Sequence, residues 1–216
     1  MVAFEALAMP LEALILDYGN VLSHPQRDDW FEAMAARTGV SANAFRDAYW
    51  RYRHPYDAGL PAAEYWRRVL DTLGHSSRTL DQEAIIDRLV EADVASWTVY
   101  REEMWDLAQS FRVKGGRTAF LSNGVPEAMA RIRVDRPLQE WFDVVVVSCE
   151  VGVAKPDRRI YQMCLSRLGV EPRRALFVDD RIENIEAAAS IGIQTFHFVG
   201  DDAVSRLALL VRSRST

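Results

Sequence analysis

Five short apolar segments, separated by stretches with helical spacing, constrain the fold of this chain more than any other feature. They cover residues 11–16, 117–121, 142–148, 175–178 and 193–198. The segments are apolar on both faces, which is typical of strands buried between two layers of helices. Strands that alternate with helices in this way predict an α/β fold, a Rossmann-like core with a parallel sheet.

A long helical stretch separates the first apolar segment from the second. It covers residues 24–110, which is too long for one crossover connection, so we expect an inserted α-helical domain. The predicted organisation is a core made of residues 1–23 and 111–216, with the helical insert between them. The chain leaves the core near Ser23 and rejoins it near Ser110, and these two positions are the expected hinges.

Polar residues follow four of the five apolar segments. They are Asp17 after the first, Ser122 and Asn123 after the second, Lys155 shortly after the third, and Asp179 and Asp180 after the fourth. Taken singly, each has an ordinary explanation as a turn, a loop, a helix cap or a solvated side chain. In an open parallel sheet, however, the carboxyl ends of the strands meet at one edge, where ligands bind. Together these residues predict a ligand site that combines three acids, a hydroxyl group and an ammonium group.

The overall composition excludes several classes of protein. A net charge of −5 gives no indication of binding to nucleic acid or to an anionic membrane. Cys149 and Cys164 belong to no CxxC or Cys/His cluster, so neither a disulfide framework nor a structural zinc site is expected. No apolar run approaches the ~18 residues of a membrane span. Residues 1–10 contain no Lys or Arg, unlike a secretory leader, so we expect a cytoplasmic protein.

The two lysines of the chain stand out against its many arginines. Of the 26 basic residues, only Lys114 and Lys155 are lysines, and a GC-rich genome explains such an excess of arginine. Codon usage does not explain why Lys155 directly precedes Pro156 at the predicted sheet edge. An ammonium group and a guanidinium group are not interchangeable where a compact charge is needed. We therefore expect Lys155 to be functional and Lys114 to be a surface residue.

Four segments of the chain resemble the sequence motifs of the haloacid dehalogenase superfamily. LILDYGNVL is similar to the first motif, TAFLSNG to the second, VGVAKPDRRIY to the third and ALFVDDRIENIEAA to the fourth. They occur in the expected order, and the resemblance covers essentially residues 11–200. It implies a Rossmann-like core whose helical insert is a C1-type cap.

The resemblance also implies a nucleophile and a metal ion. Asp17 is the implied nucleophile, which takes a phosphoryl group to form an aspartyl-phosphate. A carboxylate can attack a phosphate dianion only if their repulsion is neutralised, and Mg²⁺ is the implied cofactor. Its implied ligands are Asp17, the backbone carbonyl of Gly19, and Asp180. Asp179 is expected to reach the metal through a bound water, or to contact the metal ligands rather than the metal itself. Asn184 is expected to orient the Asp180 carboxylate.

Three further residues are implied to hold the phosphoryl group. Ser122, together with backbone N–H groups near Asn123 and Gly124, is expected to bind the transferring oxygens. Lys155 is expected to balance the charges of Asp17 and of the phosphoryl group.

One position departs from the pattern of most phosphatases in this superfamily. They carry a second Asp two residues after the nucleophile, where this chain has Gly19. That Asp protonates the leaving alcohol, and such help is typically worth about 10²–10⁴-fold in rate. His24 is a candidate substitute, although flap packing or solvent exposure is the favoured explanation for this residue. A branch with the pattern Asp-x-Gly-Asn-Val includes sugar-phosphate phosphatases that resemble glucose-1-phosphate phosphatase. An anomeric oxygen leaves more easily than an ordinary alkoxide.

The insert contains a segment, residues 49–56, that mixes aromatic and cationic side chains. Tyr49 and Tyr52 fall on a periodic apolar stripe, which is typical of helix packing. Arg53, His54 and Tyr56 lie at the break between two helices. They are the candidate substrate contacts: rings can stack on a sugar, and Arg can hold a second anion.

Three functions remain open from the sequence. The first is a Mg²⁺-dependent phosphatase that acts on a small phosphorylated metabolite, with a sugar phosphate favoured. The second is a 2-haloacid dehalogenase, which needs no metal and also lacks the second Asp. The third is a degenerate member that binds a phosphorylated ligand without turnover. For each we expect a monomer or a weak homo-oligomer.

Overall fold

A five-stranded parallel sheet forms the centre of the protein. The computed structural model describes residues 10–75 and 80–214. The strands are β1 (Ala13–Leu16), β2 (Arg117–Ser122), β3 (Val144–Val147), β4 (Ala175–Asp179) and β5 (Gln194–His197). Their order is β3-β2-β1-β4-β5 and every neighbouring pair is parallel. The strand order therefore reverses between β1 and β4, and the predicted parallel α/β fold is confirmed.

Helices surround the sheet and make up most of the segment between β1 and β2. They are α1 (Asp28–Ala36), α2 (Ala42–Arg51), α3 (Arg53–Asp57), α4 (Ala62–Thr72), α5 (Leu80–Trp97), α6 (Glu102–Val113), α7 (Pro126–Asp135), α8 (Leu138–Trp141), α9 (Ser148–Val151), α10 (Arg158–Leu168), α11 (Ile182–Ala189) and α12 (Ala203–Arg212). Within the described part of the chain, no helix has both the length and the apolarity needed to cross a bilayer.

The two faces of the sheet are covered by different helices. Side chains alternate between the faces of a strand. Leu14 and Leu16 of β1 belong to a core that extends to α6 and α12, whereas Ala13 and Ile15 pack in a second core with α10 and α11. All four side chains are buried, which is the burial on both faces that the apolar strand segments predicted.

Helices α1–α5 pack against one another around a group of aromatic rings. Tyr49 and Trp66 are fully buried there, with ring centroids 6.0 Å apart, and Phe45 stacks on Trp66 at 6.2 Å. Ser41 Oγ accepts a hydrogen bond from Ala44 N at 3.3 Å and so caps α2. These helices form the inserted cap.

The end of the insert differs from the sequence expectation. Ser110 lies inside α6, and α6 packs against β2, α8 and α12 of the core. The chain leaves and re-enters the core side by side, since Ser23 forms an antiparallel bridge with Tyr100. We therefore propose that the cap ends before α6, with its hinge at the contact between Ser23 and Tyr100.

Candidate active site

Asp17 lies at the carboxyl end of β1, next to the switch in strand order. Its backbone N donates to Val178 O at 3.0 Å, which continues the pairing of β1 with β4 by one residue. The residue is 6% exposed, and its Oδ1 accepts a hydrogen bond from Tyr18 N at 2.7 Å. Burial raises the pKa of Asp17 well above its ordinary value, and the Lys155 ammonium opposes that rise. A buried carboxylate at this edge therefore depends on nearby positive charge.

Lys155 supplies part of that charge. Its Nζ lies 2.6 Å from Asp17 Oδ1 and 2.6 Å from Asp179 Oδ2, and its side chain is fully buried. Burial favours a lower pKa for Lys155, but the carboxylates of Asp17 and Asp179 outweigh burial and raise it. The lysine is therefore a fixed ammonium group between two strand ends.

Asn123 positions the backbone of Lys155. Asn123 Oδ1 accepts a hydrogen bond from Lys155 N at 2.8 Å, and Asn123 Nδ2 donates to Lys155 O at 2.9 Å. This pair of bonds joins the loop after β2 to the loop that carries the ammonium group. Because its side-chain amide is used in this way, Asn123 holds the lysine rather than presenting its amide to a phosphoryl group.

Asp179 is saturated by internal hydrogen bonds. Its oxygens accept from Arg181 N at 2.8 Å and from Asn184 Nδ2 at 3.0 Å, in addition to Lys155 Nζ. The prediction that Asn184 orients Asp180 is wrong, because Asn184 bonds Asp179 instead. Helical side chains point back towards the N-terminus of their helix, and at the start of α11 that direction leads to the end of β4.

Asp180 is oriented by a residue that the sequence analysis missed. Asn20 Nδ2 donates to Asp180 Oδ2 at 2.7 Å. Asn20 has a φ of +59°, a left-handed conformation in which Asn is favoured over most residues. Burial raises the pKa of Asp180, the hydrogen bond from Asn20 opposes this, and Asp179 adds to the rise. The Gly-Asn pair after the nucleophile was the available sequence signal for this role.

The three carboxylates form a candidate metal site. One oxygen from each of Asp17, Asp179 and Asp180 can be chosen so that all lie within 4.8 Å of one another. Oxygen donors of this kind suit Mg²⁺. Asp17 and Asp180 are the better ligands because Asp179 is already saturated. Gly19, whose carbonyl is a predicted ligand, lines the same cavity.

Ser122 and Gly124 also line this cavity, at the end of β2. Ser122 is 2% exposed. Gly124 N donates to Ser148 Oγ at 3.1 Å, and the same hydroxyl donates to the backbone oxygen of Asp57 in the cap. A Cβ on Gly124 would lie 3.1 Å from the sulfur of Met129, so this close approach favours glycine. Ser148 therefore connects the predicted phosphate-binding loop to the cap.

Arg53 is the one predicted cap residue that lines the described cavity. Its Nε lies 2.9 Å from Asp57 Oδ1, and its Nη1 lies 3.2 Å from Asp93 Oδ2. Burial raises the pKa of Asp57, and Arg53 opposes that rise. Because two buried carboxylates share this one guanidinium group, Arg53 has no spare charge for a second anion on the substrate.

The other two predicted cap contacts lie elsewhere. Tyr56 is buried, stacks on Tyr65 at 4.2 Å and donates to Glu127 Oε2 at 3.0 Å, so it fastens the cap to α7. His54 is exposed and outside the cavity lining. Residues three and four apart share a helix face, so α3 turns Arg53 inward together with Tyr56 and turns His54 away.

His24, the candidate substitute acid, lies in a separate surface groove with Pro25 and Trp30. The active-site cavity instead contains two rings to which the sequence analysis assigned no role in the site, Trp50 and Trp97, both contributed by the cap. The cavity holds about 700 Å³, including space open to solvent. Nothing local in the sequence around Trp97 indicates that it meets the nucleophile loop.

Comparison with known proteins places this geometry in a family. Residues 11–192 match the family of haloacid dehalogenase-like hydrolases. The chain is 27% identical over 196 residues to a phosphorylated carbohydrates phosphatase from Thermotoga maritima, which covers 88% of this chain and 85% of that protein. It is also 27% identical over 175 residues to (S)-2-haloacid dehalogenase 4A from Burkholderia cepacia, covering 74% and 72%.

Some curated relatives are matched over only part of their length, whereas solved structures of the same fold are similar over most of the chain. The chain spans 8%, 39% and 17% of the length of three further curated relatives. A haloacid dehalogenase family enzyme from Bacteroides thetaiotaomicron, solved with magnesium and inorganic phosphate, has a TM-score of 0.69 at 18% identity, covering 91% of this chain and 98% of that one. That likeness establishes the fold. Because the family match spans residues 11–192, most of the chain, the protein belongs to the haloacid dehalogenase-like hydrolases.

Proposed function

We propose that this hydrolase is a Mg²⁺-dependent phosphatase that acts on a small phosphorylated metabolite. One observation carries the proposal: the charge balance at the ends of β1 and β4. Three carboxylates lie there with one ammonium group, that of Lys155, so the four side chains carry a net charge of −2 when all are ionised. Unpaired buried charge is costly, and a divalent cation is the simplest species that neutralises this cluster.

The residues fit a magnesium ion in kind and in number. Asp17 and Asp180 offer carboxylate oxygens, and the Gly19 carbonyl is a third candidate donor. Mg²⁺ prefers a few such ligands and keeps several waters. When bound, it supplies positive charge against the phosphate oxygens.

The protein's own groups divide the remaining work. On this proposal, the Asp17 carboxylate attacks phosphorus. Lys155 Nζ lies 2.6 Å from Asp17 Oδ1, so its positive charge stabilises the oxygens of the phosphoryl group during transfer. Asn123 and Asp179 fix that ammonium group from either side. The Ser122 hydroxyl, at the end of β2, binds a phosphoryl oxygen in this proposal.

Residues of the cap support one substrate class. Trp50 and Trp97 present rings to the cavity. Aromatic faces suit the apolar face of a sugar, and the Thermotoga maritima relative is named for phosphorylated carbohydrates. We therefore favour a sugar phosphate, in line with the Asp-x-Gly-Asn-Val pattern. The cytoplasmic setting and the monomeric or weakly oligomeric state stay predictions.

One observation favours a second candidate, a 2-haloacid dehalogenase. Gly19 leaves the site without the second Asp, and displacement of a halide ion needs no proton donor. The Burkholderia cepacia relative carries that activity in its name. Against this candidate stand Asp180, for which a metal-free displacement has no use, and Arg53, which has no free charge for the carboxylate of a haloacid.

One experiment separates the candidates. Phosphate release from a panel of phosphorylated metabolites is measured with Mg²⁺ and with a chelator, and halide release is measured from 2-chloropropionate. Single turnovers are also run in water that carries a heavy oxygen isotope. The phosphatase places the isotope in phosphate, because water attacks phosphorus. Halide release without metal, with the isotope in the Asp17 carboxylate, would overturn the proposal in favour of a dehalogenase. Ligand binding without any turnover would indicate a degenerate member.

A further inference from the structure

The Trp97 indole lies against the position of the missing acid. A Cβ placed on Gly19 would lie 3.3 Å from Trp97 Cζ3 and 3.8 Å from Cη2. Trp97 is the last residue of α5, so the ring reaches from the cap to the loop after the nucleophile. A side chain at residue 19 would therefore begin in tight contact with this ring, which would have to shift by a few tenths of an ångström to admit even its Cβ.

Three contacts hold Trp97 in place. Its Nε1 donates to Tyr49 Oη at 3.2 Å, and its backbone oxygen accepts from Tyr18 Oη at 2.5 Å. The guanidinium group of Arg53 lies 5.5 Å from the centroid of the indole ring. The ring is therefore anchored by the cap through its side chain and by the core through its backbone.

The cap side of the cavity, around Trp97, presents aromatic surface, and the one cation beside that ring is already paired with carboxylates. Arg53 is paired with Asp57 and Asp93, and Asp93 also accepts from Tyr49 Oη at 2.6 Å. Trp50, which is 45% exposed, adds a second ring to the same cavity. On the opposite side, α7 contributes apolar side chains, including Met129 and Ile132.

We propose that Trp97 determines substrate specificity by taking the place of a proton donor. On this proposal, which rests on the phosphatase function, the cavity accepts the phosphate ester of an uncharged ring whose oxygen leaves without a proton from the enzyme. A bond forms between an Asp17 oxygen and phosphorus as the bond from phosphorus to the leaving oxygen breaks. The electron pair stays on that oxygen, which departs as an anion and then takes a proton from water. Water hydrolyses the aspartyl-phosphate and restores the carboxylate.

The dependence of rate on the leaving group tests this directly. We would measure kcat/KM with Mg²⁺ for phenyl phosphates that carry uncharged substituents, from 4-nitrophenyl phosphate to phenyl phosphate. A donor typically contributes about 10²–10⁴-fold, so its absence predicts a fall of at least about 100-fold across the series. A flat series would overturn the inference while leaving the phosphatase function intact. No phosphate release from any ester would instead count against the phosphatase function.

Variants test the part played by the ring. We expect Gly19→Asp alone to keep the steep dependence, and Gly19→Asp combined with Trp97→Ala to flatten it. Gly19→Asp combined with Trp30→Ala is the matched control, because Trp30 lies outside the cavity, and it should stay steep. A flat series in Gly19→Asp alone would overturn the role of Trp97.

Binding provides a readout that does not require turnover. Calorimetry would compare phenylphosphonate, which is not hydrolysed, with its 4-carboxy analogue. We expect the uncharged ligand to bind at least about tenfold more tightly, because both cations of the cap side and the β4 loop are already paired: Arg53 with Asp57 and Asp93, and Arg181 with Glu183. Trp97→Ala should weaken its binding about fivefold to tenfold, while Trp97→Phe retains most of it. Equal binding of the two ligands, or no effect of Trp97→Ala, would contradict the inference.

Discussion

The core wall and the cap wall of the cavity are built in different ways. On the core side, Lys155 Nζ lies 2.6 Å from Asp17 and 2.6 Å from Asp179, and this one ammonium group is outnumbered by the three clustered carboxylates. On the cap side, the charge of Arg53 is consumed by Asp57 and Asp93, and rings face the cavity. We therefore propose that the sheet edge carries out the reaction and that the cap selects the ligand by shape and apolar contact.

Removal of the proposed nucleophile from the core wall should have the largest effect on activity. We expect Asp17→Asn to lower the rate of phosphate release by at least about 10⁴-fold, or about 5.5 kcal/mol of barrier, because an amide is a poor nucleophile. Phosphate release and circular dichroism would be measured together. Asp201→Asn, on the surface, is the control. Unchanged release in a folded Asp17→Asn variant would show that the nucleophile lies elsewhere.

A change in the cap wall should instead lower the free energy of unfolding. We expect Arg53→Met to cost about 3–5 kcal/mol of unfolding free energy, because it leaves two buried carboxylates without their partner. Chemical denaturation would measure the loss, and the exposed neighbour Arg51→Met should change stability little. Wild-type stability in Arg53→Met would mean that its charge is available to a substrate.

The two lysines give a matched pair within the chain. We expect Lys155→Arg to lower kcat/KM about 100-fold although the charge is kept, because a guanidinium group is too large for a buried position between two carboxylates 2.6 Å from Nζ. Lys114→Arg should have no effect on kcat/KM. Equal activity of the two variants would remove Lys155 from the mechanism.

Asn20 should act through Asp180. We expect Asn20→Gly, which tolerates the φ of +59°, to raise the Mg²⁺ concentration for half-maximal activity about 10–100-fold. Activity at saturating Mg²⁺ should recover. An unchanged Mg²⁺ requirement would argue against Asp180 as a ligand.

The smallest effect is expected where the cap is fastened to the core. Tyr56→Phe removes the hydrogen bond to Glu127 and should cost about 1 kcal/mol of stability, with a rise in KM. Tyr52→Phe removes a bond to Thr72 inside the cap and should leave KM unchanged. Equal KM values for the two variants would mean that this contact does not hold the cap on the core.

The sequence predicted correctly the residues whose positions are set by the ends of the parallel strands. Asp17, Lys155 and Asp179 converge as predicted because parallel strands end at one edge. It failed for Asn184 and His54, since the direction of a helical side chain depends on where the helix begins. It missed Trp97 because the partner of that ring, Gly19, is distant in sequence and carries no side chain. Cap contacts of this kind depend on tertiary packing rather than on local pattern.

The central claim is that Asp17 is the group that becomes phosphorylated. Beryllium fluoride forms phosphate-like adducts on nucleophilic carboxylates, so a crystal structure of the protein with beryllium fluoride and Mg²⁺ tests this claim directly. We predict an adduct bonded to an Asp17 oxygen, with Lys155 Nζ and the Ser122 hydroxyl against its fluorines. An adduct on another carboxylate, or an unmodified Asp17 in the presence of the bound reagent, would contradict the account.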